Sequence, residues 1–140
     1  MKKIYKNCHL AGQDTMVDIL VENGKFAAIQ EHIEAGEVEA IDVGGKLVVP
    51  PYVDPHLHLD YVYTAKGVGA RNDTGTLFEG IQRWSETKAG TSPEELKARA
   101  RQAVKEEMLH GVQYIRSHVD VTDPALTGMK AMLELKEELK

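Results

Sequence analysis

The sequence predicts an α/β protein in which a small β region precedes a parallel sheet covered by helices. Three observations predict this class: short apolar alternations between turns in the first fifty residues, a nearly continuous apolar run at 47–53, and alternating strand and helix patterns after it. A parallel sheet needs more than the two buried strands that this pattern supplies. We therefore expect the 140 residues to be the N-terminal part of a larger fold.

The composition is that of a globular protein, with 42% apolar and 28% charged residues. Seventeen basic residues stand against 22 acidic ones, and the net charge of -5 gives no electrostatic reason to bind phosphate backbones or anionic lipid. No segment has the length of a membrane span. We therefore expect neither a nucleic-acid partner nor a membrane partner.

The single cysteine, Cys8, excludes an internal disulfide and every zinc motif that is built from paired cysteines. The N-terminal segment contains two lysines but no apolar stretch of the length that a signal peptide needs. Both features favour a cytoplasmic protein.

The first fifty residues have the sequence pattern of short strands separated by turns. Residues 16–30 alternate between apolar and polar types, and the alternation breaks at Asn23-Gly24, which is typical of a tight hairpin. A second turn, Gly44-Gly45, precedes the apolar run at 47–53. Such a run is typical of a strand that is buried on both faces.

Helical patterns follow from about residue 74. In the first, Leu77, Ile81 and Trp84 share one face, and either Thr74 or Thr76 can serve as the N-cap. The second begins with the capping-box sequence at 92–95 and is followed by a glycine stop. Its predicted buried stripe is Leu96, Ala100, Ala103, Val104 and Met108.

A second buried strand is predicted over 112–119, and Asp123-Pro124 is expected to open a third helix that still runs at Lys140. The apolar residues expected on this helix are Leu126, Met129 and Leu133.

Two histidines end the apolar run in the stretch DPHLHLD. Residues i and i+2 of a strand point to the same face, so His56 and His58 would present their rings together, with Cα atoms roughly 6.5 Å apart. Side chains that lean inward can bind one ion, since Zn–N bonds are about 2.0 to 2.1 Å long. The pair also follows the carboxyl end of the strand, where ligands gather in parallel α/β folds.

The spacing alone leaves two interpretations open, a metal site or two surface imidazoles on a strand. Two imidazoles are too few for a tight site, which needs at least three protein ligands. The candidates for a third ligand within the chain are Asp54, Asp60, His118 and Asp120, and spacing does not choose among them. The other histidines, His9, His32 and His110, have no partner pattern and are interpreted as structural or solvated.

Three stretches together resemble the metal-dependent cytosine deaminases of the amidohydrolase superfamily: VVPPYVDPHLHLD, TGTLFEGIQRW and YIRSHVDVTDPALTGMKAMLELK. The resemblance runs from about residue 47 to the last residue, and the N-terminal hairpins are similar to that family's small sandwich more loosely. It implies a (β/α)8 barrel flanked by a β-sandwich domain. Residues 1–46 would then be part of the sandwich and 47–140 the first two β/α units of an incomplete barrel.

The resemblance also implies roles for individual residues. His56 and His58 would be ligands of iron or zinc, whose bound water becomes the nucleophile. Leu77 matches a position that lines the pyrimidine pocket, although it is equally well explained as helix core. His118 and Asp120 match a shared R-x-H-V-D motif, and a hydrogen-bonded pair that braces the barrel mouth is favoured over direct chemistry.

The carboxylates of Asp54 and Asp60 flank the histidine pair in sequence, and each would orient a ring. The remaining metal ligands and the acid/base groups of the family would fall beyond Lys140, so no catalytic residue is expected within this chain.

The resulting hypothesis is hydrolytic deamination of cytosine or a related nitrogen-rich ring by the complete protein, which we expect to be a homo-oligomer with a small pyrimidine-like substrate. A triazine or another cyclic amidine is the alternative substrate. The alternative from another class is a non-catalytic truncated fragment or binding module without a complete site.

Overall fold

The chain divides after Pro50 into two units, Met1–Pro50 and Pro51–Lys140. This description rests on a computed structural model that covers residues 1–66 and 71–140. No helix in these two ranges combines the length and the apolar character that crossing a membrane requires.

The first unit is a five-stranded sheet in the order β3-β2-β1-β4, with β5 paired to β1 beyond β4. The central strand pairs antiparallel with β2 and parallel with both β4 and β5. The strands are β1 Lys2–Leu10, β2 Met16–Glu22, β3 Lys25–Gln30, β4 Glu39–Asp42 and β5 Leu47–Val48.

The predicted hairpin is confirmed. Glu22 pairs with Lys25, so the loop holds only Asn23 and Gly24, and both have positive φ values, 51° and 75°. Left-handed residues at both central positions match the twist of the flanking strands, which is why this loop takes Asn-Gly.

The apolar run at 47–53 is not one strand, which corrects the prediction. Leu47–Val48 belongs to the first sheet as β5, and a separate strand, β6, begins only at Tyr52. Pro50 and Pro51 lie between them. Because proline has no N–H to donate to a strand ladder, the pair ends the first strand and lets the chain change sheets.

The second unit follows the predicted order of strand, helices, strand and helix. Its elements are β6 Tyr52–Leu57, a 3-10 turn at Thr64–Lys66, α1 Leu77–Ala89, α2 Pro93–Leu109, β7 Val112–Ser117 and α3 Thr127–Glu138. β6 and β7 are parallel, as a strand–helix–strand crossover requires. The described part of the chain therefore shows the start of a parallel α/β fold and not a closed barrel.

The predicted starts of α1 and α2 are confirmed. The Thr76 hydroxyl accepts the N–H of Glu79, and Ser92 and Glu95 form a reciprocal capping box with Pro93 at the first helical position. The prediction for α3 is wrong at both ends. Asp123 accepts the N–H groups of Ala125 and Thr127, so it caps a separate turn, and the helix starts at Thr127 and ends at Glu138.

The core of the second unit lies between α2 and α3. It consists of Leu59, Leu96, Ala100, Ala103, Ala131, Met132 and Leu135. The predicted stripe of α2 is confirmed at Leu96, Ala100 and Ala103, but Met108 is 62% exposed. On α3 the buried residues are Ala131, Met132 and Leu135, whereas Leu133 is exposed and Leu126 precedes the helix.

Candidate functional site

Three imidazoles meet where β6 and β7 end. His56 and His58 lie at the carboxyl end of β6, and His118 directly follows β7. The ring centroids of His56 and His58 are 5.4 Å apart, and that of His118 lies 4.2 Å from His56 and 5.6 Å from His58. The parallel pairing of the two strands produces this cluster, and the backbone N–H of His118 donates to the carbonyl of Leu57 at 2.7 Å.

The rings of His56 and His58 are free to bind a ligand. Both side chains are exposed, and neither ring makes a hydrogen bond to any residue in the ranges 1–66 and 71–140. The carboxylate of Asp54 is turned to the backbone instead, where it accepts the N–H of His56 at 2.9 Å. Asp54 therefore shapes the backbone of the pair.

The donor set fits a divalent metal only in part. Two neighbouring neutral imidazoles suit zinc or iron, and paired nitrogen donors of this kind are common in catalytic sites. However, no three His, Cys, Asp or Glu side chains of the described residues are placed to hold one ion together. The histidine pair thus offers two nitrogen donors, and His118 lies beside them without completing a set of three.

His118 is the most shielded of the three rings. Partial burial, followed by the nearby charges of His56, Arg116 and His58, lowers the pKa of His118. The ring is therefore neutral at neutral pH.

Asp60, two residues after His58, is the most deeply buried carboxylate of the second unit, with 1% of its surface exposed. Its Oδ2 accepts the backbone N–H of Asp120 at 2.9 Å. Its Oδ1 is buried and has no hydrogen-bond partner among the described residues. The carboxylate thus joins the turn after β6 to the turn after β7 and does not bond to an imidazole.

Asp120 is the centre of a polar cluster. Its Oδ2 accepts from the indole Nε1 of Trp84 at 2.6 Å and from the Nζ of Lys88 at 2.8 Å, while its Oδ1 accepts the N–H of Thr122 at 2.8 Å. Burial by itself would raise the pKa of Asp120, but the bonds from Lys88, Thr122 and Trp84 outweigh it and hold the pKa well below its usual range. Asp120 is therefore an ionised anchor. Its partners are Trp84, Lys88 and Thr122 and not His118, which corrects the prediction of a hydrogen-bonded pair of His118 and Asp120.

The sequence reasoning missed Trp84 and Lys88 as partners of Asp120. They are 36 and 32 residues away from it in the chain, so no local spacing connects them. One signal was present, because a tryptophan on the inner face of a helix needs an acceptor for its indole N–H.

Leu77 is the first residue of α1 and is 74% exposed. It belongs to neither of the hydrophobic clusters, so the explanation as helix core does not hold in this structure. Ile81, one turn further on, is also exposed. The predicted apolar face of α1 is therefore open, apart from Trp84.

The remaining histidines bond locally. His9 contacts the carbonyl of Gln13, His32 the carboxylate of Glu34, and His110 the carbonyl of Glu106. None of these three rings lies in the imidazole cluster.

A cavity of about 370 Å³ lies beside Asp120, between α1 and the start of α3. Asp60, Asp120 and Lys88 contribute its charged groups, and Trp84 and Leu96 contribute apolar wall. The three imidazoles do not line it.

Comparison with solved structures gives strong likeness over almost the whole chain. A 5-methylcytosine deaminase from Klebsiella pneumoniae, solved with phosphonocytosine, is 41% identical, with a TM-score of 0.84 over 99% of this chain and 33% of that one. An atrazine chlorohydrolase from Arthrobacter aurescens, solved in complex with zinc, shares the fold at 19% identity and a TM-score of 0.67, over 98% of this chain and 33% of that one.

Among curated proteins, the N-isopropylammelide isopropyl amidohydrolase of Pseudomonas sp. strain ADP is 32% identical over 98% of this chain and 35% of its own length. The chain thus spans about a third of the length of the Pseudomonas and Klebsiella relatives. The amidohydrolase family model matches residues 39–138, which include the histidine pair, Asp60 and Asp120. The resemblance seen in the sequence is thereby confirmed, and the chain belongs to the amidohydrolase family.

Proposed function

We propose that this chain supplies the first metal-binding motif of a hydrolase that deaminates cytosine or a closely related nitrogen-rich ring. The observation that carries the proposal is the pair of unbonded imidazoles, His56 and His58, side by side at the carboxyl end of a parallel strand. The 41% identity to a 5-methylcytosine deaminase over nearly the whole chain supports the substrate class.

His56 and His58 would hold a divalent cation, iron or zinc. Such a cation supplies, when bound, a water whose pKa falls to about 7 and which can serve as a nucleophile. The chain's own contribution is to bind and to orient. Asp120 anchors α1, Asp60 ties the two strand ends together, His118 lies beside the pair, and Leu77 would face the ring of the substrate.

We assign residues 51–140 to the first two β/α units of a (β/α)8 barrel and residues 1–50 to part of a β-sandwich, because Leu47–Val48, expected in the barrel, pairs with β1 of the first sheet. The carboxylate that transfers protons and the further metal ligands would come from outside the described chain. The complete protein would act on a small molecule in the cytoplasm as a homo-oligomer, and the buried, unpaired thiol of Cys8 is in keeping with a reducing compartment.

A triazine-type ring is the second candidate substrate. It is favoured by the 32% identity to an N-isopropylammelide amidohydrolase over 98% of this chain. A non-catalytic module is the remaining alternative, since no three His, Cys, Asp or Glu side chains of the described residues are placed to hold one ion. Turnover of cytosine, 5-methylcytosine and N-isopropylammelide by the complete protein would separate these three cases.

The test is replacement of His56 or His58 by Ala in the complete protein. Each change removes one of few ligands, so bound metal and turnover should both fall to the background level. Elemental analysis of the purified variants measures the first, and ammonia release from cytosine measures the second.

His110→Ala is the matched control, because it removes an exposed imidazole that bonds only to the carbonyl of Glu106. This variant should keep the metal content of the parent. Equal iron or zinc in the His56, His58 and His110 variants would refute the metal site, and the pair would then be two surface imidazoles.

A further inference from the structure

Helix α1 has almost no apolar contact with the rest of the second unit. None of its residues is buried, and Leu77, Phe78 and Ile81 are exposed. Trp84 alone packs against the hydrophobic core, and its ring meets that of Tyr61 edge-on, with centroids 5.0 Å apart. Apolar packing therefore cannot fix the position of this helix by itself.

Polar contacts fix it instead, and they converge on one acceptor. Trp84 and Lys88, one turn apart on α1, both donate to Oδ2 of Asp120, and Lys88 also donates to the hydroxyl of Thr122. In the described part of the chain, every other side-chain hydrogen bond of α1 stays within the helix or its flanking turns, as in the pairs Arg83–Glu79 and Gln82–Glu86.

The same acceptor is connected to the candidate metal pair. Asp120 donates its own backbone N–H to Asp60, which is nearly inaccessible and follows His58 by two residues. A continuous chain of hydrogen bonds therefore runs from the turn that follows the histidines, through Asp60 and Asp120, to the helix that begins with Leu77.

We propose that Trp84 and Lys88 are positioning residues that hold α1, and with it Leu77, in place relative to the His56–His58 pair through Asp120 and Asp60, and that they thereby set which ring the site accepts. This inference rests on the proposed function. Directional hydrogen bonds to one carboxylate fix an element more sharply than a single aromatic contact, and a displacement of about 1 Å can cost about 100-fold in rate.

The test uses Trp84→Phe and Lys88→Met in the complete protein. The first change removes the indole donor and keeps an aromatic ring, and the second removes the ammonium and keeps most of the apolar stem. Three quantities are measured: amide hydrogen exchange of peptides covering 77–89 and 93–109, bound metal, and the ratio of kcat/KM for cytosine and 5-methylcytosine.

We expect exchange over 77–89 to rise about 10-fold in both variants, while 93–109 and the metal content stay at the parent level. The kcat/KM ratio should shift by about 10-fold, as is typical when a supporting partner is lost. Lys88→Arg, which keeps the charge, should restore much of the protection. Arg101→Met is the matched control, since it removes a cation paired with Glu138 between α2 and α3, away from α1.

Unchanged exchange over 77–89 in both variants, with an active parent, would overturn this inference and leave the proposed function standing. Raised exchange with an unchanged kcat/KM ratio would overturn the role in ring choice. A parent protein that binds no metal and turns over no ring would overturn the proposed function and the selectivity with it.

Discussion

Helices α1 and α2 begin alike and are held differently. Each has a hydroxyl N-cap that accepts a backbone N–H, from Glu79 in α1 and from Glu95 in α2. Yet α2 buries an apolar stripe against α3, whereas α1 buries no residue and is held by bonds to Asp120. The caps determine where a helix starts, and tertiary contacts determine how firmly it is held.

The difference follows from position. α2 lies against α3 in the core of the unit, but α1 begins with the residue proposed to face the substrate. Elements that contact ligands are drawn from the less stable end of a protein. Polar anchoring places such an element well while leaving it easier to release than a packed helix.

The largest expected effect is on the packed helix. Leu96→Ala removes a side chain that is 4% exposed and lies in the core cluster. The lost burial and the remaining cavity should lower the free energy of unfolding by about 2–5 kcal/mol. Chemical denaturation of the complete protein measures this loss.

The same deletion on α1, Leu77→Ala, is the matched control. Because Leu77 is exposed, the free energy of unfolding should change by no more than about 0.5 kcal/mol. If Leu77 lines the pocket, the substitution should instead change the ratio of kcat/KM between ring substrates. A loss as large as that of Leu96→Ala would mean that α1 is packed in the complete protein, and the contrast between the helices would disappear.

The next largest effect is expected on the stability of α1 at low pH. A carboxylate whose folded pKa is lowered stabilises the fold fully above its unfolded pKa, about 3.9, and that contribution is lost as the pH falls toward the folded value. The pKa of Asp120 is lowered in this way, since the bonds from Lys88, Thr122 and Trp84 outweigh the burial that by itself raises it. Hydrogen bonds to charged groups stabilise by about 1.5–3 kcal/mol. The protection of α1 should therefore decline below about pH 4.

The α2 helix provides the internal comparison for this titration. Its capping carboxylate, Glu95, also has a lowered pKa, chiefly because of the Ser92 backbone N–H, so the cap of α2 weakens in acid as well. The apolar core does not titrate. Amide exchange, corrected for its intrinsic pH dependence, should show α1 released at a higher pH than α2, and simultaneous release would contradict the polar anchoring of α1.

The smallest effect is expected at Gly128, in the first turn of α3. A Cβ there would lie 3.6 Å from Cγ1 of Val119, 3.8 Å from Cβ of Asp60 and 3.9 Å from the carbonyl oxygen of Asp120, all ordinary contacts. Gly128→Ala should therefore raise the free energy of unfolding, by about 0.5–1 kcal/mol, because alanine loses less entropy in a helix. A fall measured by denaturation would show that the surroundings of Asp60 and Asp120 are too tight for one methyl group.

Sequence reasoning succeeded where the signal is local. The Asn23-Gly24 hairpin, the caps of α1 and α2 and the shared face of His56 and His58 each depend on a few neighbouring residues. The two prolines at 50–51 were visible too, but the apolar run around them was read as one strand, because composition does not show which sheet a residue joins.

The sequence predictions failed where two local structures compete for the same residues or where the contact joins residues far apart in the chain. Asp123 had the sequence of a helix cap, yet its carboxylate bonds within a turn that ends at Thr127, with Leu126 in the left-handed region at φ 54°. The anchoring of Trp84 and Lys88 spans more than thirty residues, so only the folded chain brings the three side chains together. The buried Asp18 of the first unit, paired with Lys6 at 2.6 Å, was missed because the two residues lie on different strands and meet only when β1 pairs with β2.

The bond between Asp60 and Asp120 also bears on the order of events during folding. It closes a loop of 60 residues. The chain must lose the conformational entropy of that loop before the contacts between its two ends can stabilise the fold. α2 and its cap can form from neighbouring residues, but the three imidazoles meet only after β6 has paired with β7 across the whole interval. The chain must therefore be synthesised well past His118 before His56 and His58 gain their third neighbour.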